Sequence, residues 1–154
     1  MEGKKDENFS CQITRFKSVK LEVFVMPFNK LHVPKDLPVS TCHAINNLLH
    51  DSLVELCGVN SDDFFCLVSR YSPDDMVFHP TFLGARDPHA TIVIEITLLV
   101  GRSDSQKEAL FVDVRKRLEG IGFNPANSIM FLIENNAIDW SFSQIGSVKR
   151  ALQL

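Results

Sequence analysis

The sequence predicts an α+β fold built from two β-α-β repeats. Three observations carry this. An apolar helical stripe, Ile45, Leu49, Leu53 and Leu56, reappears 65 residues on as Leu110, Val114, Leu118 and Ile121. The glycine that closes the first stripe, Gly58, has a counterpart 64 residues on in Gly122. Apolar runs of strand length flank both stripes, and a constant offset of this kind marks an internal repeat. Two such units can form one four-stranded sheet with both helices on one face.

The elements follow in order. Residues 1–26 form an N-terminal extension: Met1 to Ser10 is polar and charged, whereas Val19–Val25 alternates like an added strand. Met26–Val33 continues in extended form. Pro27 has no N–H, which places it at a strand edge, bend or start. Pro34, Asp36 and Pro38 mark a loop. The first helix is expected over Val39–Cys57, stopped by Gly58. Phe64–Val68 reads as a buried strand, and Ser69–His89 as a long stretch of turn chemistry. Thr91–Val100 is the strongest strand. Ser103 and Gln106 make a capping box for the second helix, which Gly120 and Gly122 end. Ser128–Glu134 closes the sheet, and residues 143–154 follow as a C-terminal tail. Both faces of the strands are apolar, as in Ile92–Ile94 and Ile129–Ile133, while the helices cover one. The other face is expected to be buried by association of subunits.

Composition excludes several function classes. The 154 residues carry 16 Lys+Arg and 19 Asp+Glu, a net charge of −3, without the basic footprint of a nucleic-acid binder. No run of 18 apolar residues suggests a membrane span, and the first residues lack the apolar core of a secretory signal. A cytoplasmic protein is the expectation. The cysteines at 11, 42, 57 and 66 contain no Cys-x-x-Cys pair and read as small core residues. Of the five histidines, His43 and His50 come nearest to ligand spacing, yet seven residues is too far for the usual i, i+4 pair. No metal and no cofactor is expected.

A set of short motifs lies on this frame in order: Met26-Pro27-Phe28, Gly58-Val59 with Asp62-Asp63, Leu83-Gly84, Gly101-Arg102-Ser103 with Gln106-Lys107, and Asp139-Trp140-Ser141-Phe142. With them the chain resembles the tautomerase superfamily from Pro27 to Phe142, above all its longer members of the malonate semialdehyde decarboxylase and cis-3-chloroacrylic acid dehalogenase types. The resemblance implies a tautomerase/MIF-like domain over residues 27–142, a homotrimer, and a small carboxylate substrate. It implies that Pro27 supplies a basic secondary amine when it heads the chain, and that Asp63 activates water or holds substrate. Arg102 would clamp a carboxylate, with Trp140 and Phe142 walling the pocket. A keto–enol tautomerase, isomerase or related lyase on a small 2-oxo or unsaturated acid is the implied activity.

The sequence departs from the pattern at three points. Pro27 is internal, so its nitrogen is an amide without a basic lone pair. Val100 stands where the decarboxylase type has a second arginine, and Phe64-Phe65 follow the carboxylate where a polar residue is common. Read alone, each site residue has a plainer alternative: Pro27 as an edge proline, Asp63 as a turn residue, Arg102 as a solvated helix-start residue, Trp140 as core. A non-catalytic trimeric binding protein is therefore the competing expectation.

Overall fold

The computed structural model describes residues 26–142, 144 and 146–154. Strands β1 (Phe28–Pro34), β2 (Cys66–Tyr71), β3 (Ile92–Leu99) and β4 (Ser128–Asn135) form one sheet in the order β2-β1-β3-β4. Helix α1 (Val39–Cys57) links β1 to β2, and α2 (Asp104–Gly120) links β3 to β4. Each linked pair runs parallel, and the halves meet where β1 lies antiparallel to β3, with Phe28 opposite Thr97 and His32 opposite Val93. The expected double β-α-β sheet is what forms. The Val19–Val25 strand expectation lies outside the described residues.

Alternation decides what each strand buries. Leu31 and Val33 on β1, and Ile92, Ile94, Ile96 and Leu98 on β3, turn to the helices and are fully buried. Against them pack Ile45, Leu49 and Leu53 of α1 and Leu110, Val114 and Leu118 of α2. Neither helix could hold its shape in water on propensity alone; this shared apolar seam stabilises both. Ser52 fastens the helix pair across the seam, its hydroxyl 2.7 Å from Asp113 Oδ2, and Arg117 bonds Asp113 and Glu55. The capping box forms, with Gln106 N–H donating to Ser103 Oγ and Ser103 N–H to Gln106 Oε1.

Three sequence expectations need correction. The strand expected at Phe64–Val68 starts at Cys66 and is not buried: Phe64 and Phe65 are part-exposed and Leu67 is 53% exposed. As an edge strand, β2 pairs only with β1, and residues 60–64 are still occupied in a turn. Ile121 does not extend the α2 stripe. It follows the last helical residue at 44% exposure, and Phe123 packs on the core in its place. Gly120 is inside α2, and the left-handed turn that lets the chain reverse falls at Gly122 (φ 79°).

The helix-free face of the sheet is apolar but not uniformly so. Phe131 and Ile133 are about two-fifths exposed there, beside a polar chain across the middle strands. Lys30 Nζ lies 2.9 Å from Glu95 Oε1, His32 Nε2 3.6 Å from Glu95 Oε2, and His32 Nδ1 2.8 Å from the Tyr71 hydroxyl. Among the described residues, no helix is long and apolar enough to cross a membrane.

Gly58 ends α1 at φ 69°, where a Cβ would meet no atom within 4 Å. Gly58→Ala therefore tests backbone strain alone. It should cost about 1–2 kcal/mol, seen as a lower urea midpoint with an unchanged slope.

Candidate active site

The antiparallel junction of the halves brings the starts of β1 and β2 to the same sheet end as the finish of β3 and β4. All five expected site residues lie in the segments that enter or leave the strands at this end: Pro27 before β1, Asp63 before β2, Arg102 after β3, and Trp140 and Phe142 after β4. Met26 and Pro27 enter β1 there, and both are buried. A second apolar cluster includes Met26: it joins Leu99 and Val148, with Trp140, Phe142, Ala137 and Leu152 packed against them. Val148 belongs to a short helix, α3 (Val148–Ala151), tied back by its N–H to Trp140 O at 2.8 Å.

Aromatic rings line this end in a row. Phe28 stacks on Phe65 at 6.4 Å between centroids, Phe65 meets Phe142 at 5.4 Å, and Phe142 stacks on Trp140 at 5.9 Å. The indole N–H of Trp140 donates to Asn135 Oδ1 at the end of β4, which fixes the ring plane. Phe65, read from sequence as a buried strand residue, is instead the ring joining the β1 start to the C-terminal segment.

Arg102 follows β3 and is only 8% exposed. Its guanidinium donates to the Leu99 carbonyl and, at 3.5 Å, to that of Cys57 at the end of α1. It is thus neither a solvated helix-start residue nor wholly free for a ligand: it clasps α1 to the β3 terminus. Burial lowers its pKa from the ordinary value, while Cys57 and Glu134 oppose the shift. Three N–H donors of the five in a guanidinium remain. Glu134 in turn takes a 2.7 Å ion pair from Lys107, leaving its Oε1 buried without a partner.

Asp63 lies in the turn before β2, two residues ahead of Phe65. Its N–H donates to Asn60 O at 3.0 Å, and its Oδ2 is buried without a hydrogen-bond partner. Burial raises its pKa, Asp62 adds to the rise, and His50 opposes it. An ionised carboxyl there is held at a cost, as at many functional sites. His50 escaped the sequence reading, which weighed it only as a metal ligand. Its proximity to Asp63 is tertiary and has no local signal.

Among the described residues, the cysteines show no reactive setting. Cys42 and Cys57 are buried and free, and burial drives the Cys66 thiol up to about 11 against the pull of its Asn46 bond. Two clefts lie elsewhere: one of about 420 Å³ between His32, Tyr71 and Phe131, and one of about 300 Å³ beside Arg86 and Arg115.

Residues 62–143, more than half of the chain, match the Tautomerase_2 family, described as tautomerase enzyme. The chain belongs to this family. Two Bacillus subtilis (strain 168) proteins are similar over 118 residues: probable tautomerase YusQ, 26% identical, and probable tautomerase YrdN, 24% identical. The match covers 76% of this chain in both cases, and 93% and 91% of those proteins. A structure of FG41 malonate semialdehyde decarboxylase inhibited by 3-bromopropiolate superposes with a TM-score of 0.72 at 25% identity, over 82% of this chain and 95% of that one. A fused 4-OT trimer superposes at 0.66 and 18% identity, over 82% and 99%, a likeness of fold. The tautomerase fold expected from the sequence motifs is therefore present.

Removing the Arg102 guanidinium should strand two buried carbonyls. Arg102→Met, which keeps the apolar stem, is expected to cost about 1.5–3 kcal/mol in urea unfolding. A variant as stable as the parent would show that the clasp contributes nothing and that the guanidinium is available to a ligand.

Proposed function

We propose that this tautomerase-family chain acts on a small 2-oxo or unsaturated carboxylic acid as a keto–enol tautomerase, isomerase or related lyase, once Pro27 heads the chain. The observation that supports the reading is the apolar cluster in which Met26, the residue before Pro27, packs with Leu99, Trp140 and Phe142, Leu99 being also the residue whose carbonyl Arg102 holds. A free prolyl nitrogen in such an apolar setting is a base near neutral pH. It takes the proton from the carbon next to the substrate carbonyl; the C–H electrons form the C=C of an enolate or dienolate as the carbonyl π pair moves onto oxygen. Returning the proton to another carbon completes the isomerisation. The remaining donors of Arg102 hold the substrate carboxylate, Asp63 orients a water or a substrate hydroxyl, and the Trp140–Phe142 wall excludes bulk water.

The helix-free sheet face supports assembly as a homotrimer, since it offers Phe131, Ile133 and Leu67 to a partner copy. Light scattering should give three times the chain mass at micromolar concentration. A stable monomer would remove this part of the proposal.

A second reading has its own observation. Met26 is 7% exposed and packs with Leu99 and Val148, so the residue that acylates Pro27 is itself a piece of the apolar cluster. This favours a non-catalytic binding protein. Comparing the full chain with one headed by Pro27 separates the two. The full chain should show negligible tautomerisation of phenylpyruvate, and the shorter one a gain of about 10²–10⁴-fold, the usual worth of general acid–base catalysis. Equal activity would mean that the base is another residue. Inactivity of both, with intact folding, would favour the binding reading.

A further inference from the structure

The cleft beside Arg86 and Arg115 lies at the other end of the sheet from Pro27. Its walls are residues 83–86 of the loop before β3, Pro125 and Ala126 of the turn before β4, Ser128 and, on α2, Arg115. Two guanidinium groups share this wall and no carboxylate does. Among the described residues, neither arginine has a carboxylate oxygen within 4.0 Å, and Glu119, one helical turn beyond Arg115, is not its partner. Asp87, the carboxylate next to Arg86 in the chain, accepts the His89 N–H at 2.9 Å and does not line the cleft.

Arg86 is held in place before any ligand arrives. Its Nη1 donates to the His79 carbonyl at 2.9 Å and its Nη2 to that of Phe82 at 2.6 Å, while its backbone N–H reaches Pro80 O at 2.9 Å. The loop thus wraps the guanidinium, and two further Nη N–H donors remain. The Nε–H is buried without a partner, so the charge of this group is met by neutral carbonyls alone. An anion in the cleft would supply the compensation that carbonyls cannot. The two walls are also joined: Asp87 N–H donates to Asn127 Oδ1 at 2.8 Å, and the Ser128 hydroxyl to Pro125 O at 2.7 Å. A cation fixed in this way loses little conformational freedom on binding.

We propose that this cleft is a second ligand site of the chain, taking the phosphate group of a small phosphomonoester between Arg86 and Arg115. A phosphate ester carries close to two negative charges near neutral pH and three acceptor oxygens. It therefore answers both guanidinium groups, where a carboxylate would answer one, and the planar arginine fork can take two of its oxygens together. The cleft of about 300 Å³ is at the small end of small-molecule pockets. It leaves room for an organic part against Leu83, Pro125 and Ala126. The eight residues of β3 put about 26 Å between this end of the sheet and the Pro27 end. The site is thus independent of whether Pro27 heads the chain.

The test is titration of the ¹⁵N-labelled full chain with phenyl phosphate, inorganic phosphate and sodium acetate, each against sodium chloride of equal ionic strength, read from amide shifts. Phenyl phosphate should move the amides of residues 83–86 and 126–128 to saturation, at lower concentration than inorganic phosphate, and less tightly as salt rises. Arg115 is exposed and, among the described residues, in no ion pair, so Arg115→Gln should keep the fold. It should weaken phenyl phosphate about tenfold or more. Arg86→Gln should abolish the saturable shifts; if it fails to fold, Arg115→Gln alone decides. An affinity unchanged in Arg115→Gln, shifts no larger than those of chloride, or shifts confined to the Arg102 end would each overturn the site. Acetate bound as tightly as phenyl phosphate would overturn the choice of a phosphate. The readout needs no activity, so a failure here leaves the tautomerase reading standing, and an inactive Pro27-headed chain leaves this site standing.

Discussion

The antiparallel pairing of β1 with β3 is the constraint on which the site depends. Within each half, a helix between parallel strands puts both strand starts at one end. Joining the halves antiparallel then sets the starts of the first pair beside the finishes of the second. The segment that leads into β1, the turn before β2, the loop after β3 and the run after β4 are brought to a common end, though they span 26 to 142 in sequence. A one-residue slip of β1 against β3 would exchange Leu31 and Val33 with Lys30 and His32, placing charge in the apolar seam. The core therefore fixes the register, and the register brings the segments that carry Pro27, Arg102 and Trp140 to one end of the sheet.

At that end, structural and chemical demands fall on the same atoms. Arg102 satisfies two buried carbonyls and also carries the cation that the proposed carboxylate substrate would require. Met26 fills an apolar niche and also acylates the nitrogen that catalysis would need. Asp63 is buried enough to disfavour its own charge. Since its folded-state pKa lies above the unfolded one, it binds more protons when folded. It therefore favours the fold at low pH and withdraws that support as pH rises through its raised pKa. A residue retained only as turn chemistry would gain from being asparagine, which is an argument for a role in which the charge is used.

Most of the fold was legible because its signals are local. The stripe on α1, the Ser103–Gln106 capping box and the continuous apolar run of β3 depend on neighbours within a few residues, and they formed where their patterns placed them. What went astray depends on partners distant in sequence. Phe64 and Phe65 look like core by composition, yet an edge strand exposes them, and Phe65 finds its use against Phe28 and Phe142. Ile121 matches Leu56 by offset but lies past the helix end, where Phe123 folds back instead. At the site, ordered motifs pointed to Pro27, Asp63, Arg102, Trp140 and Phe142. The clasp of Arg102 on Leu99 and Cys57, and the grip of His50 on Ser61, could not be read there. Both are side chains reaching backbone carbonyls of other segments, and a carbonyl leaves no mark in sequence.

The helix-free face shows how the same sheet can serve assembly. Its polar chain, Lys30 to Glu95 to His32 to Tyr71, sits among rings and aliphatic groups, and Glu95 is well shielded. The Lys30 bond pulls the Glu95 pKa below its ordinary value, with His32 adding to the pull and burial opposing it. A depressed carboxyl stabilises the fold at pH above the unfolded carboxylate range and loses that contribution as pH falls through its folded value. Covering this face with another copy would remove water from the pair. That deepens the attraction between its charges and also the penalty for leaving either alone. The polar chain is satisfied within a single subunit, so a partner need supply only apolar surface. A sheet face that pairs its own charges in this way can be buried without asking the neighbour for a counter-ion.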